Sequence, residues 1–189
     1  MNILKDYQIR SALKRKVLTQ YSRRQKTLIL EELSLHHGMV RIDVAVINDI
    51  LHGFEIKSDG DTLERLPEQM KVYSEIFDRI TLIVGYRHAY EALKMIPDWW
   101  GVKLVNIGPR GGIHFAEARG PRQNPSPDKL SIVMLLWREE ALDLLDEINT
   151  TKGFRSKSRM EIYKRLVEVT DIDIIRSKVL HQFKYRTNW

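Results

Sequence analysis

The strongest constraint in this sequence is a pair of short segments, Val40–Ile47 and Leu51–Lys57, flanking Asn48-Asp49-Ile50. In the first, Ile42, Val44 and Val46 alternate with polar or small residues; in the second, Phe54 and Ile56 are the apolar positions. A period of two marks a half-buried strand. A three-residue link between two such strands makes an antiparallel hairpin. Pairing is then symmetric about position 49, which sets Asp43 across from Glu55, Ala45 across from Gly53 and Arg41 across from Lys57. A slip of one residue would turn the charged set into the core. The register that buries Ile42, Val44, Phe54 and Ile56 therefore gathers Asp43, Glu55, Lys57 and Arg41 on the opposite face.

The remaining pattern supplies the elements around this hairpin. Gln8 to about Tyr21 reads as a helix, with Ile9, Leu13, Val17 and Leu18 at helical spacing. Thr27 to Leu35 fits either a strand or a short helix carrying Glu31 and Glu32. Helices are expected over Pro67–Phe77 and His88–Met95, and strands over Arg79–Val84, Val102–Ile107 and Ile113–Ala118, the last two joined by a Gly-Pro-Arg-Gly-Gly turn. Gly120 to Pro127 reads as a linker. Beyond it, Leu130 through Ile148 carries one apolar stripe. Ser158 with Glu161 forms a capping-box signature for a second helix, and a third runs from about Asp171 toward Tyr185. The expected fold class is α/β: a mixed central sheet flanked by helices over residues 1–120, with a helical C-terminal subdomain over 121–189. The stripe is expected to pack on the core, with a homodimer contact as its alternative use.

Composition narrows the chemistry. The 189 residues include no cysteine, which excludes disulfides, cysteine-ligated zinc, iron–sulfur clusters and a cysteine nucleophile. The opening residues do not read as a signal peptide. The longest nearly apolar run, Leu130 to Trp137, is too short to span a bilayer. A cytoplasmic protein with no membrane partner is expected. The net charge of +6 is concentrated at the two ends, around a neutral middle. Lys14, Arg15, Arg23 and Arg24 belong to one basic stretch, and Lys152, Arg155, Lys157 and Arg159 to another. Stretches of this kind attract polyphosphate backbones, and solvated helix faces are their plainer use.

The opposed carboxylates carry the chemistry. Across an antiparallel pair, facing Cβ atoms are about 4.5–5.5 Å apart, and two carboxylates that close resist joint ionisation unless a cation separates them. A hard divalent ion, Mg²⁺ with Mn²⁺ as a substitute, suits such oxygens and could polarise a phosphate. Lys57, two residues past Glu55, shares its face. Gln69 and Tyr73 stand four apart on one helix face. Glu32 or Glu31 offers a third carboxylate, and Arg65 lies one turn before Gln69. Ala45 and Gly53 are small enough to leave room for a phosphate.

These residues resemble a known superfamily. Asp43 followed by Glu55-Ile56-Lys57 resembles the core of the PD-(D/E)XK nucleases, and Gln69-xxx-Tyr73 resembles the extra motif of their RecB-like branch. The wider string from Gly53 to Ser58, with Asp61 to Leu66, is similar to a small bacterial and phage family of uncharacterised nuclease-like proteins. The resemblance implies a restriction-endonuclease-like sheet. It also implies Mg²⁺ held by Asp43, Glu55, the Ile56 carbonyl and Glu32, with Lys57 as the catalytic lysine and Gln69 and Tyr73 as accessories. Ile42 stands where the superfamily's motif has a proline, one that is often missing among its members. The expected function is metal-dependent hydrolysis of phosphodiester bonds in nucleic acid, DNA before RNA. The alternatives are a nucleic-acid-binding module with a degenerate site, and a phage inhibitor or immunity partner. His36 and His37 read as loop residues rather than ligands, and Trp99-Trp100 as a buried plug rather than a base-stacking pair.

Overall fold

The computed structural model describes residues 4–22 and 26–186. At the N-terminus, α1 (Asp6–Leu13) continues through a π-helical turn, Lys14–Leu18, into a short α2 (Thr19–Ser22). Ile9, Leu13 and Leu18 are fully buried. Six strands lie side by side in chain order: β1 (Leu28–Leu35), β2 (Val40–Ile47), β3 (Leu51–Lys57), β4 (Arg79–Gly85), β5 (Gly101–Ile107) and β6 (Ile113–Arg119). The β3–β4 and β4–β5 pairs are parallel and the other three antiparallel. Parallel neighbours need a crossover, which α3 (Leu66–Ile76) and α4 (Tyr86–Met95) provide. The sheet is thus mixed and flanked by helices, and the ambiguous segment before residue 36 is a strand.

The hairpin takes the register that its alternation requires: Val44 pairs with Phe54, Ala45 with Gly53, Val46 with His52 and Ile47 with Leu51. Two expectations about its faces are corrected. Val44, Phe54 and Ile56 pack with Ile9 and Leu13, but Ile42 joins the other core, with Ala45 and Phe77. The alternation breaks at Asp43. Opposite it Glu32 takes a left-handed φ of 55°, and the β1–β2 ladder skips both residues. One interruption of a period-two pattern moves the residues beyond it to the other face. Ala45 and Gly53 also leave no room for a phosphate. Ala45 is fully buried, and a Cβ on Gly53 would lie 2.5 Å from Ile42 Cδ1 and 3.2 Å from Phe77 Cγ.

The C-terminal region is helical, as expected, but its first stripe is two helices, α5 (Lys129–Val133) and α6 (Arg138–Glu147). Trp137 takes an extended backbone between them, and its N–H donates to Glu140 Oε2 at 2.7 Å. Such a cap satisfies an amide that a continuous helix would have bonded internally. Helix α7 (Arg159–Val169) begins at the Ser158–Glu161 capping box, and α8 (Ile172–Tyr185) follows. Ile132, Leu145, Ile162 and Phe183 from this region share one core with Leu35, Ile42 and Leu82 of the sheet. Asn124, inside the linker, donates to the carbonyls of Ser74 and Phe77 at 2.7 and 2.8 Å, fastening the connection to α3. Trp100 is fully buried with its ring 6.3 Å from that of Tyr73, the plug expected of it. Among the described residues, no helix is long and apolar enough to cross a membrane.

Candidate functional site

Glu55 sits on the central strand β3 and is only 2% exposed. A buried carboxylate must be bonded, and three donors meet it. Lys57 Nζ and Gln69 Nε2 lie 2.9 and 2.7 Å from Oε1, and Tyr73 Oη lies 2.8 Å from Oε2. Lys57 reaches it because residues two apart on a strand share a face. Gln69 and Tyr73 reach it from α3 because residues four apart share a helix face. Gln69 Nε2 lies 3.3 Å from Tyr73 Oη, and that hydroxyl lies 2.7 Å from the Arg41 carbonyl on β2. Burial, then the charge of Glu55 and the hydrogen bond to it, pushes the Tyr73 phenol above its ordinary range. These four side chains come together as their spacing implies.

Asp43 enters from β2 where the strands part. The backbone ladder stops at Val44 and Phe54. One step on, Asp43 Oδ2 accepts the Ile56 N–H at 2.7 Å. The acid and Glu55 line one cavity of about 540 Å³, together with Ile56, Lys57, Gln69 and Glu32. Burial first, and the Glu55 charge second, push the Asp43 carboxyl up to about 7, against the pull of the Ile56 N–H and of Arg10.

Arg10 was legible only as one cation of a basic stretch, and its role at the site was missed. Carried by α1, its Nη2 is 2.7 Å from Asp43 Oδ1 and 3.3 Å from Asp6 Oδ2, and its Nη1 pairs with Glu32. Burial works against its charge, but Asp43, Asp6 and Glu32 together raise its pKa further above the ordinary arginine range. Glu32 is also bound by Arg41 Nε at 2.5 Å, while Glu31 pairs with Lys14. Of the two neighbouring glutamates, only Glu32 therefore lines the cavity. It is engaged by two arginines rather than gathered with Asp43 and Glu55: among the described residues, no three His, Cys, Asp or Glu side chains form a cluster that could hold a metal. Arg65 lines the cavity, and so do Asp6 and Asp61, which no spacing or motif marked as site residues.

The other cations are dispersed. Arg15 is exposed on the π-helical turn. Lys152 is exposed in the loop before α7. Arg155 pairs with Asp146 at 2.5 Å and Lys157 with Glu161 at 3.2 Å. Arg159 lines a neighbouring groove. Arg23 and Arg24 lie outside the described residues. His36 and His37 form a tight turn, with His36 Nε2 3.3 Å from Glu75 Oε2.

The donor set suits a hard divalent cation. Two carboxylates from adjacent strands and the backbone of Ile56 line the same wall. Burial and then the Glu55 charge raise the Asp43 carboxyl against the pull of the Ile56 N–H and Arg10, and a cation beside the two acids would relieve their repulsion. An ion here would draw its other oxygens from water or substrate, as Mg²⁺ commonly does.

Comparison with known proteins places the whole chain. The model of the family described as bacteriophage P4 protein cII matches residues 2–188. The chain belongs to the bacteriophage P4 protein cII family. Protein cII of Enterobacteria phage P4 is 26% identical over 158 residues, which are 84% of this chain and 59% of that protein. The chain thus spans 59% of the length of this curated relative. The SPO1766 protein of unknown function from Silicibacter pomeroyi is 15% identical, with a TM-score of 0.45, over 84% of this chain and all of that one.

Proposed function

We propose that this member of the protein cII family is a metal-dependent nuclease of the PD-(D/E)XK type, acting on DNA. The observation that carries the reading is the shared cavity. Asp43 and Glu55 line it from strands that part at the site, and Lys57, Gln69 and Tyr73 all bond Glu55. Asp43, Glu55 and the Ile56 carbonyl would hold Mg²⁺ or Mn²⁺. The ion would supply Lewis-acid polarisation of a phosphate oxygen and lower the pKa of water. The chain's own groups do the rest. Gln69 and Tyr73 hold Glu55 in one rotamer, so it needs no reordering when substrate arrives. Lys57 places an ammonium at the cavity wall, where it can orient a water and stabilise negative charge that develops on the phosphate. Arg65 lines the same cavity and suits a non-bridging phosphate oxygen.

Incubation with plasmid and linear DNA in Mg²⁺ or Mn²⁺ tests the reading. Wild-type protein should cleave, and Glu55→Gln and Lys57→Ala should each lower the rate by at least about a hundredfold. Cleavage that persists in both variants would exclude this site.

A second reading is favoured by the ion pairs. Arg10 already meets Asp43 and Lys57 already meets Glu55, so the chain's own cations partly neutralise both acids. On that reading the protein binds nucleic acid without cutting it. Calorimetric titration with Mn²⁺ separates the two: a nuclease site gives saturable binding that Glu55→Gln abolishes, and a binding module gives none.

A further inference from the structure

We propose that the groove beside the candidate site binds an unpaired stretch of nucleic acid, with Trp137 stacking on a base and Arg159 meeting a neighbouring phosphate. The inference rests on nucleic acid being the partner, but not on cleavage.

The groove measures about 560 Å³ and is bounded by the β1–β2 region and the C-terminal helices. It shares Glu32, Ser34 and Gly38 with the cavity that holds Asp43 and Glu55. The two therefore adjoin, and a strand with one phosphate in that cavity would meet the groove across these shared residues. The groove is lined by apolar residues, including Leu30, Met134 and Leu136, together with Trp137, His37 and Arg159.

Trp137 is 49% exposed, while Trp100 is fully buried. Its position is fixed all the same. The Arg186 guanidinium sits 4.5 Å from the indole centroid. Arg186 is itself tied to Glu140 at 2.7 Å and to the Leu135 carbonyl at 2.8 Å. An aromatic ring held in place and left half open is a preorganised stacking platform.

The charge around the groove points to the same ligand. Arg138, next to Trp137, donates to the Arg155 carbonyl at 2.6 Å and to the Lys157 carbonyl at 3.3 Å. These bonds draw the segment 152–159 up to the Trp137 end of the groove, where Arg155 and Lys157 are already paired with Asp146 and Glu161 and Arg159 lines the groove itself. The groove's own acids are already paired, Glu31 with Lys14 and Glu32 with Arg10 and Arg41. A half-open indole beside cations matches a single strand, whose bases offer π-faces and whose phosphates offer charge. A duplex keeps its base faces stacked inside.

Fluorescence anisotropy of a short labelled single strand, measured in EDTA, tests the proposal. Trp137→Ala should weaken binding about tenfold, the usual effect of losing one base–aromatic stack. Trp137→Phe should recover most of that loss. Arg159→Gln should weaken binding and reduce the salt slope by about one. A blunt duplex of the same sequence should bind wild type and Trp137→Ala alike. Thermal melts confirm that each variant is folded. Equal single-strand affinity for wild type and Trp137→Ala overturns the proposal, and so does an equal loss on the blunt duplex. Binding read in EDTA is independent of cleavage, so Trp137-dependent binding there, together with no cleavage in the separate Mg²⁺ or Mn²⁺ assay, would remove the nuclease reading and leave this one standing. Cleavage with binding indifferent to Trp137 would do the reverse.

Discussion

Asp43 shows how one buried charge couples the site to the stability of the fold. Its carboxyl titrates at about 7 in the folded protein, through burial and then the Glu55 charge, against an ordinary value of 3.8. The folded state therefore holds the proton more tightly than the unfolded chain. Asp43 contributes stability that is fully present below about pH 4 and lost as pH rises through about 7. Measured against Asp43→Asn, wild-type stability should fall over that window by at most about 1.4 kcal/mol per pH unit. Urea denaturation at a series of pH values measures the difference. A difference that stays flat would show Asp43 ionising as it does in an unfolded chain. Mg²⁺ at saturating concentration should flatten it too, because a bound cation favours the ionised acid. His52 works with the opposite sign. Burial lowers its pKa to about 3, so its contribution is present above about 6.5 and lost as pH falls toward 3. Both proteins keep His52, and it cancels in the comparison.

At the scale of the strands, Gly53 marks where packing overrides backbone freedom. Replacing glycine by alanine in a strand usually gains stability by restricting the unfolded chain, by about 0.4–1 kcal/mol. Here the new Cβ would sit 2.5 Å from Ile42 Cδ1 and 3.2 Å from Phe77, and both of those side chains are fully buried. Overpacking of this kind costs about 1–3 kcal/mol and should win, so Gly53→Ala is expected to lower the melting temperature. An unchanged or higher value would show that the core relaxes around it. The pairing of Ala45 with Gly53 was legible because only one register buries the apolar positions of the hairpin. Lys57 beside Glu55, and Gln69 above Tyr73, were legible because each is a matter of local spacing. The face switch at Asp43 was not, since nothing in the sequence marks a left-handed Glu32. The break before Trp137 was hidden because the apolar spacing runs unchanged through it. Arg10 was missed for a different reason. The pattern of α1 tells which of its faces is buried, but not that the helix docks beside a strand 33 residues away.

Over the whole molecule, the same core that joins the sheet to the C-terminal helices should make them unfold together. Far-ultraviolet circular dichroism and tryptophan fluorescence are expected to report a single, coincident urea transition. Two separated transitions would mean that residues 121–189 form an independent unit. Charge is organised on this scale as well. The basic stretches 10–26 and 152–165 hold thirteen Lys and Arg between them. If all of them met phosphates, binding to a single strand would vary with salt with a log–log slope of about −9. The fold has already committed many of these cations: Arg10 to Asp43, Lys14 to Glu31, Arg155 to Asp146, Lys157 to Glu161 and Arg165 to Glu168. A cation that must leave a carboxylate to reach a phosphate gains little from the exchange. The slope measured by anisotropy across a sodium chloride series should therefore be shallower than about −6. A slope near −9 would show that nucleic acid opens these ion pairs on binding, and that the charge balance of the free protein does not limit its grip.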